Sequence, residues 1–195
     1  IDIELPQIVR LERPAGGKAA LRAAAKILSD SHFPVILNGA GVVIGGAIAA
    51  SAALAEKLTA PVCCGYQHND AFPGSHPLSV GPLGYNGSKA AMELIAKADV
   101  VLALGTRLNP FSTLPGYGID YWPQNAKVIQ VDINSDRIGL TKKVTVGIQG
   151  DAKLVAEQLI ELLSDSAGDH GRNKRSALIS ETKSRWLQQL SSMDH

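Results

Sequence analysis

Short, uninterrupted apolar runs that end in a turn residue recur along this chain, and they restrict its fold more than any other feature. Val35-Ile36-Leu37 runs into Asn38-Gly39-Ala40-Gly41, Val100–Leu104 into Gly105-Thr106-Arg107, and Val128–Val131 into Asp132. A half-exposed strand alternates apolar and polar residues, whereas a strand apolar at every position must be covered on both faces. The covers are found between the runs. Lys18–Ser29 places Leu21, Ala24, Ala25 and Leu28 at helical spacing; Gly46–Leu58 and Ser88–Lys97 follow as helices, with Ser88 a natural N-cap. Asp151 caps a further helix that ends near Leu163, and Pro61–Cys64 and Val144–Ile148 supply two more strands. Strands alternating with helices predict a doubly wound, mostly parallel, Rossmann-like α/β sheet with helices on both faces.

The domain boundaries follow from punctuation. Residues 1–17, with Pro6, Pro14 and Gly16-Gly17, read as an entering linker, and 18–163 as the α/β domain. Residues 164–195 read as a linker whose basic cluster, Arg172, Lys174 and Arg175, is solvated, followed by an amphipathic stretch, Ala177–Leu190, that docks Trp186 and Leu187 on a neighbouring domain. The chain starts at Ile1 without an initiator Met, so a piece of a longer polypeptide is expected. Gly65–Gly87 has no periodicity of its own, and a loop of that length is expected to serve binding.

Composition then narrows the function. Hydrophobic residues make up 45% of the chain and charged ones 19%, too apolar for a disordered segment. A formal net charge of +1 gives no electrostatic grip on nucleic acid or membrane. Val35–Leu58 is interrupted by Gly39, Gly41, Gly45 and Gly46 and does not read as a membrane span. Cys63 and Cys64 are adjacent and point to opposite faces of a strand, so they form neither a disulfide framework nor a zinc knuckle; a reducing, cytoplasmic setting is expected.

The candidate site lies where these strands end, because open α/β sheets bind ligands at their carboxyl edge. Gly39 and Gly41, at a strand-to-helix turn, either let a diphosphate approach the backbone or serve packing alone. The fit to G-x-G-x-x-G is imperfect, with Ile44 at the last position, and Gly65 stands where an NAD site carries a carboxylate. Asp132 could hold a ribose hydroxyl or initiate a turn, and Arg107 could meet phosphate or form a surface ion pair. His68, Asp70 and His76 match no metal-ligand spacing and read as loop-ordering residues. No catalytic set and no metal site is expected within the chain. A stand-alone module binding ADP, FAD or NAD is one reading of these residues.

Taken in order, the glycine turn, Gly105-Thr106-Arg107, Val131-Asp132-Ile133-Asn134 and Gly150-Asp151-Ala152 resemble the central domain of thiamine-diphosphate-dependent enzymes over residues 18–163. Pro34–Gly41, Cys63–Asp70, Leu108-Asn109-Pro110-Phe111, Gly118–Pro123 and Ser191–His195 are similar to the branch that converts sulfoacetaldehyde and phosphate to acetyl phosphate and sulfite in sulfonate (taurine) degradation. An acetolactate-synthase-like parent is the alternative. The resemblance implies thiamine diphosphate and Mg²⁺ held mainly by flanking pyrimidine- and pyrophosphate-binding domains, a homo-oligomeric parent, and an inactive fragment. It also implies an adenine nucleotide, ADP or FAD, on Gly39, Gly41, Arg107, Asp132 and Ile133. Leu108-Asn109-Pro110-Phe111 replaces the charged residues that follow the arginine turn in acetohydroxyacid synthases, a departure that counts against flavin. Tyr66, His68, Asn86 and Tyr117 are the side chains it implies near the substrate, with packing against other domains as their alternative role. Asp151, followed by Ala152, is assigned to helix capping and not to metal.

Overall fold

The computed structural model describes residues 12–193, so the first eleven positions of the entering linker, Pro6 among them, and the terminal pair 194–195 lie outside the described residues. Strands β1 (Pro34–Asn38), β2 (Val62–Cys64), β3 (Ser79–Pro82), β4 (Val100–Leu104), β5 (Lys127–Asp132) and β6 (Val146–Gln149) form one sheet in the order β3-β2-β1-β4-β5-β6. Every pairing is parallel, as runs buried on both faces require. Helices α1 (Lys18–Ser29), α3 (Ile48–Leu58) and α5 (Ala152–Leu162) cover one face, where Ile36, Cys64, Leu102, Leu104, Ile129 and Val131 point. Helices α4 (Lys89–Ile95) and α6 (Arg172–Ser191) lie on the other, over Val35, Leu37, Cys63, Val101, Ala103 and Val128. The adjacent cysteines therefore sit in two different cores, as the strand alternation demands.

The glycine-rich loop departs from expectation because it contains β3. Ser79-Val80-Gly81-Pro82 has no apolar run, and it is one of the sheet's two outer strands, where glycine and proline are tolerated. A short helix, α2 (Ala40–Ile44), also precedes α3. No described helix is long and apolar enough to cross a membrane.

The solvated reading of the basic cluster fails at Arg175, which is 2% exposed. Its guanidinium donates to the carbonyls of Thr59 (2.9 Å), Leu58 (2.8 Å), His32 (2.6 Å) and His170 (2.8 Å), and to that of Gly168. Leu58 closes α3, so the cation sits on the helix's unpaired C-terminal carbonyls, where the dipole favours it. Burial, followed by repulsion from Arg172, lowers the Arg175 pKa, with Asp99 opposing. Downstream, Ile179 joins the core beneath α4, so α6 docks on its own domain through that side chain, while Leu187 stays exposed.

Candidate functional site: a cationic cleft at the carboxyl edge

Strand order reverses between β1 and β4, and the two turns leaving those strands open a cleft of about 470 Å³. Gly39, Gly41, His68, Arg107, Asp132 and Ile133 all line it, so the topology gathers six predicted residues from four separate segments. Tyr66, Asn86 and Tyr117 do not line it. Tyr66 faces Phe111 at 6.2 Å between ring centroids, whereas Tyr117 lies 6.1 Å from Trp186 with Lys89 Nζ over both rings. Asn86 and Tyr117 adopt left-handed φ values of 60° and 53° in their loops.

Packing accounts for the glycines of the first turn. A Cβ on Gly41 would lie 2.7 Å from Gly105 Cα, and one on Gly39 would lie 2.5 Å from Thr106 Cβ. The Gly41 amide donates to Gly105 O at 2.8 Å and the Gly39 amide to Leu104 O at 3.0 Å. Both amides are thus committed to the neighbouring strand and turn, and Gly39 and Gly41 form a wall of the cleft rather than its hydrogen-bond donors. Asn38 makes the wall rigid: its buried amide donates to Ser51 Oγ (2.8 Å) and Ala71 O (3.0 Å) and accepts from Ser51 Oγ (3.1 Å).

Charged side chains supply the polarity. Asp132 accepts the Asn134 amide through Oδ1 at 2.9 Å, which is the turn-initiating role, and Oδ2 has no partner among the described residues. Asp151 caps α5, accepting from the Lys153 and Leu154 amides at 3.0 and 3.2 Å. Its other oxygen pairs with Arg13 at 3.1 Å. Arg107 and Arg137 line the cleft without a carboxylate partner among the described residues, where the arginine ion pairs are those of Arg13, Arg172 and Arg185. Arg13, Arg107 and Arg137 against Asp132 and Asp151 leave the cleft cationic, a wall suited to an anion. Arg13 and Arg137 were not singled out from the sequence: one lies in a segment read as linker, the other in Ser135-Asp136-Arg137, a turn without a motif.

Neither cysteine lines the cleft, and both are buried. Burial pushes the Cys64 thiol up to about 12, with the Asp70 charge adding to it, and burial also raises Cys63. Neither is a thiolate near neutral pH. His76 orders its loop, meeting Glu56 at 3.1 Å and accepting the Leu78 amide at 3.1 Å, and His68 stands 3.9 Å from Asp70. Asp151 is committed to the α5 cap and to Arg13, and no group of three or more histidine, cysteine or carboxylate side chains is placed to hold a metal ion among the described residues.

Residues 21–159 match the model of the thiamine pyrophosphate enzyme central domain. The chain belongs to that family. The chain is 77% identical over its whole length to the "Probable sulfoacetaldehyde acetyltransferase" of Rhizobium meliloti and 73% identical to the sulfoacetaldehyde acetyltransferase of Roseovarius nubinhibens. It spans about a third of those relatives, 33% and 32% of their lengths. A "Probable acetolactate synthase large subunit" of Methanocaldococcus jannaschii is 37% identical over 77% of the chain and 25% of its own length. Among solved structures, a protein of Mycobacterium smegmatis provisionally assigned to the thiamin diphosphate-dependent enzymes superposes with a TM-score of 0.66. That match is 25% identical and covers 81% of this chain and 30% of the other.

Proposed function

We propose that this central domain belongs to a sulfoacetaldehyde acetyltransferase, which converts sulfoacetaldehyde and phosphate to acetyl phosphate and sulfite in cytoplasmic sulfonate (taurine) degradation. The observation that carries the reading is 77% identity across all 195 residues to a relative of that name, against 37% over 151 residues to an acetolactate synthase relative. Thiamine diphosphate with Mg²⁺ supplies the carbanion chemistry when bound, and the flanking pyrimidine- and pyrophosphate-binding domains of a homo-oligomeric parent hold it. In this reading the residues of this domain support rather than react, the reacting groups belong to the flanking domains, and the isolated domain is inactive. Assay of the full-length protein tests this directly. Acetyl phosphate and sulfite should appear from sulfoacetaldehyde and phosphate; acetolactate from pyruvate would replace the reading with an acetolactate-synthase-like one.

The cleft itself is assigned to an adenine nucleotide, ADP before FAD. Asp132 Oδ2 accepts from a ribose hydroxyl, Ile133 packs on the base, and the guanidiniums meet phosphate. Calorimetry of the full-length protein with ADP, FAD and NAD checks the assignment. Arg107→Ala and Asp132→Ala should each weaken ADP about tenfold, and no heat with any of the three leaves the domain as scaffold alone. Tyr66, His68, Asn86 and Tyr117 are assigned to the substrate side of the parent, Tyr66 and His68 by way of the loop beside the cleft. Their alanine variants should raise KM for sulfoacetaldehyde or phosphate; unchanged KM assigns them to interdomain packing.

A further inference from the structure

Arg107 follows β4 and Arg137 closes the turn after β5, yet one buried side chain fastens both backbones. Gln130, 1% exposed on β5, donates from Nε2 to Thr106 O at 3.1 Å and to Arg137 O at 3.0 Å. Its Oε1 accepts the Gly139 amide at 2.8 Å. A second stitch comes from Thr141, whose Oγ1 donates to Leu108 O at 2.9 Å. Leu108, the residue after Arg107, is held at a left-handed φ of 53°. The two loops are thereby fixed side by side, while the two guanidiniums they carry are exposed and pair with no described carboxylate. Both flank the end of β5, where Asp132 stands with Oδ2 unpartnered among the described residues.

We propose that Arg107 and Arg137 form an oxyanion subsite, positioned by Gln130, that takes a phosphoryl group carried on the ribose of the nucleotide whose hydroxyl meets Asp132. This rests on the nucleotide reading of the cleft and adds the ligand class: a ribose-phosphorylated adenine nucleotide over plain ADP. Two planar guanidiniums from adjoining loops suit a tetrahedral, doubly charged group better than one does. The glycine turn, with its Gly39 and Gly41 amides committed, is a poor competitor for that charge.

Titrating the full-length protein with ADP, adenosine 2′,5′-bisphosphate and adenosine 3′,5′-bisphosphate tests the proposal. One of the bisphosphates should bind about tenfold more tightly than ADP, and Arg137→Ala should erase that difference. Gln130→Met should shrink the same difference, with a melting curve confirming that the variant is folded; should it not fold, Arg137→Ala decides alone. Equal affinity for all three nucleotides overturns the subsite and leaves the nucleotide reading intact. If no adenine nucleotide binds, that reading has failed, and inorganic phosphate becomes the probe: phosphate binding abolished by Arg137→Ala supports a free-anion subsite, and its absence overturns the proposal altogether.

Discussion

Arg175 and the pair Arg107/Arg137 reach opposite fates. Arg175 is enclosed, with each of its five N–H directions met by a backbone carbonyl, and it ties the C-terminal segment to the end of α3. Arg107 and Arg137 stand on loops that are themselves tightly held, but their charged groups are left to solvent and the cleft. A guanidinium saturated by backbone serves the fold. One whose backbone is immobilised and whose charge is uncommitted is available to a ligand.

The contrast predicts the largest loss at Arg175. Arg175→Met strands buried carbonyls that water cannot easily reach, and should cost roughly 3–5 kcal/mol in urea unfolding. Arg175→Lys should fall between, since an ammonium has three donors for five carbonyls and no fixed fork. A lysine variant as stable as the wild type would break the comparison, because the planar fork would then be dispensable.

Gly41 sharpens it from the side of the cleft. Its missing Cβ leaves room for Gly105 Cα at 2.7 Å, so Gly41→Ala must push two backbone turns apart, at about 1–3 kcal/mol. A lower melting temperature places this glycine with Arg175, among residues that serve the fold. Unchanged stability with lost ADP binding would return it to the ligand.

These outcomes bear on what could be read before any coordinates. Runs such as Val100–Leu104 announce themselves because a strand covered on both faces has no polar positions to blur it. β3 was hidden inside the long loop because an outer strand of four residues containing Gly81 and Pro82 carries no such signature. Gly39, Gly41, Arg107 and Asp132 were legible from strand termini, since the carboxyl edge of a parallel sheet is where its loops converge, whereas Ile133 and His68 followed only from the family resemblance. Arg175 and Arg137 were not, because their environments are assembled by segments remote in sequence: Leu58 and Thr59 for one, Gln130 and Thr106 for the other. The role of Gly39 and Gly41 could not be settled either, because close approach of Gly105 and close approach of a phosphate ask for the same residue.

A smaller effect follows from the cysteines, one in each of the two cores that the sheet separates. A thiol whose folded pKa is raised to about 12 from 9.0 stays protonated in the fold while the unfolded chain ionises first. Stability is therefore unaffected below about pH 9 and falls as pH rises from there toward 12, by on the order of 1 kcal/mol near pH 10 for Cys64. Replacing both thiols by alanine should flatten that part of the pH–stability curve. Identical slopes in the two proteins would mean that the thiols are not kept protonated by burial.

The smallest expected effect is on the other arm of the comparison. Arg107→Ala and Arg137→Ala remove exposed groups that meet no carboxylate among the described residues, so each should change unfolding free energy by no more than about 0.5 kcal/mol. The loops should survive, because the bonds from Gln130 and Thr141 run to backbone carbonyls and not to the guanidiniums. Urea unfolding of each variant beside Arg175→Met measures the gap. A loss at Arg107 or Arg137 approaching that of Arg175 would show their charges to be committed to the fold after all, and would remove the physical basis for a ligand at this end of the cleft.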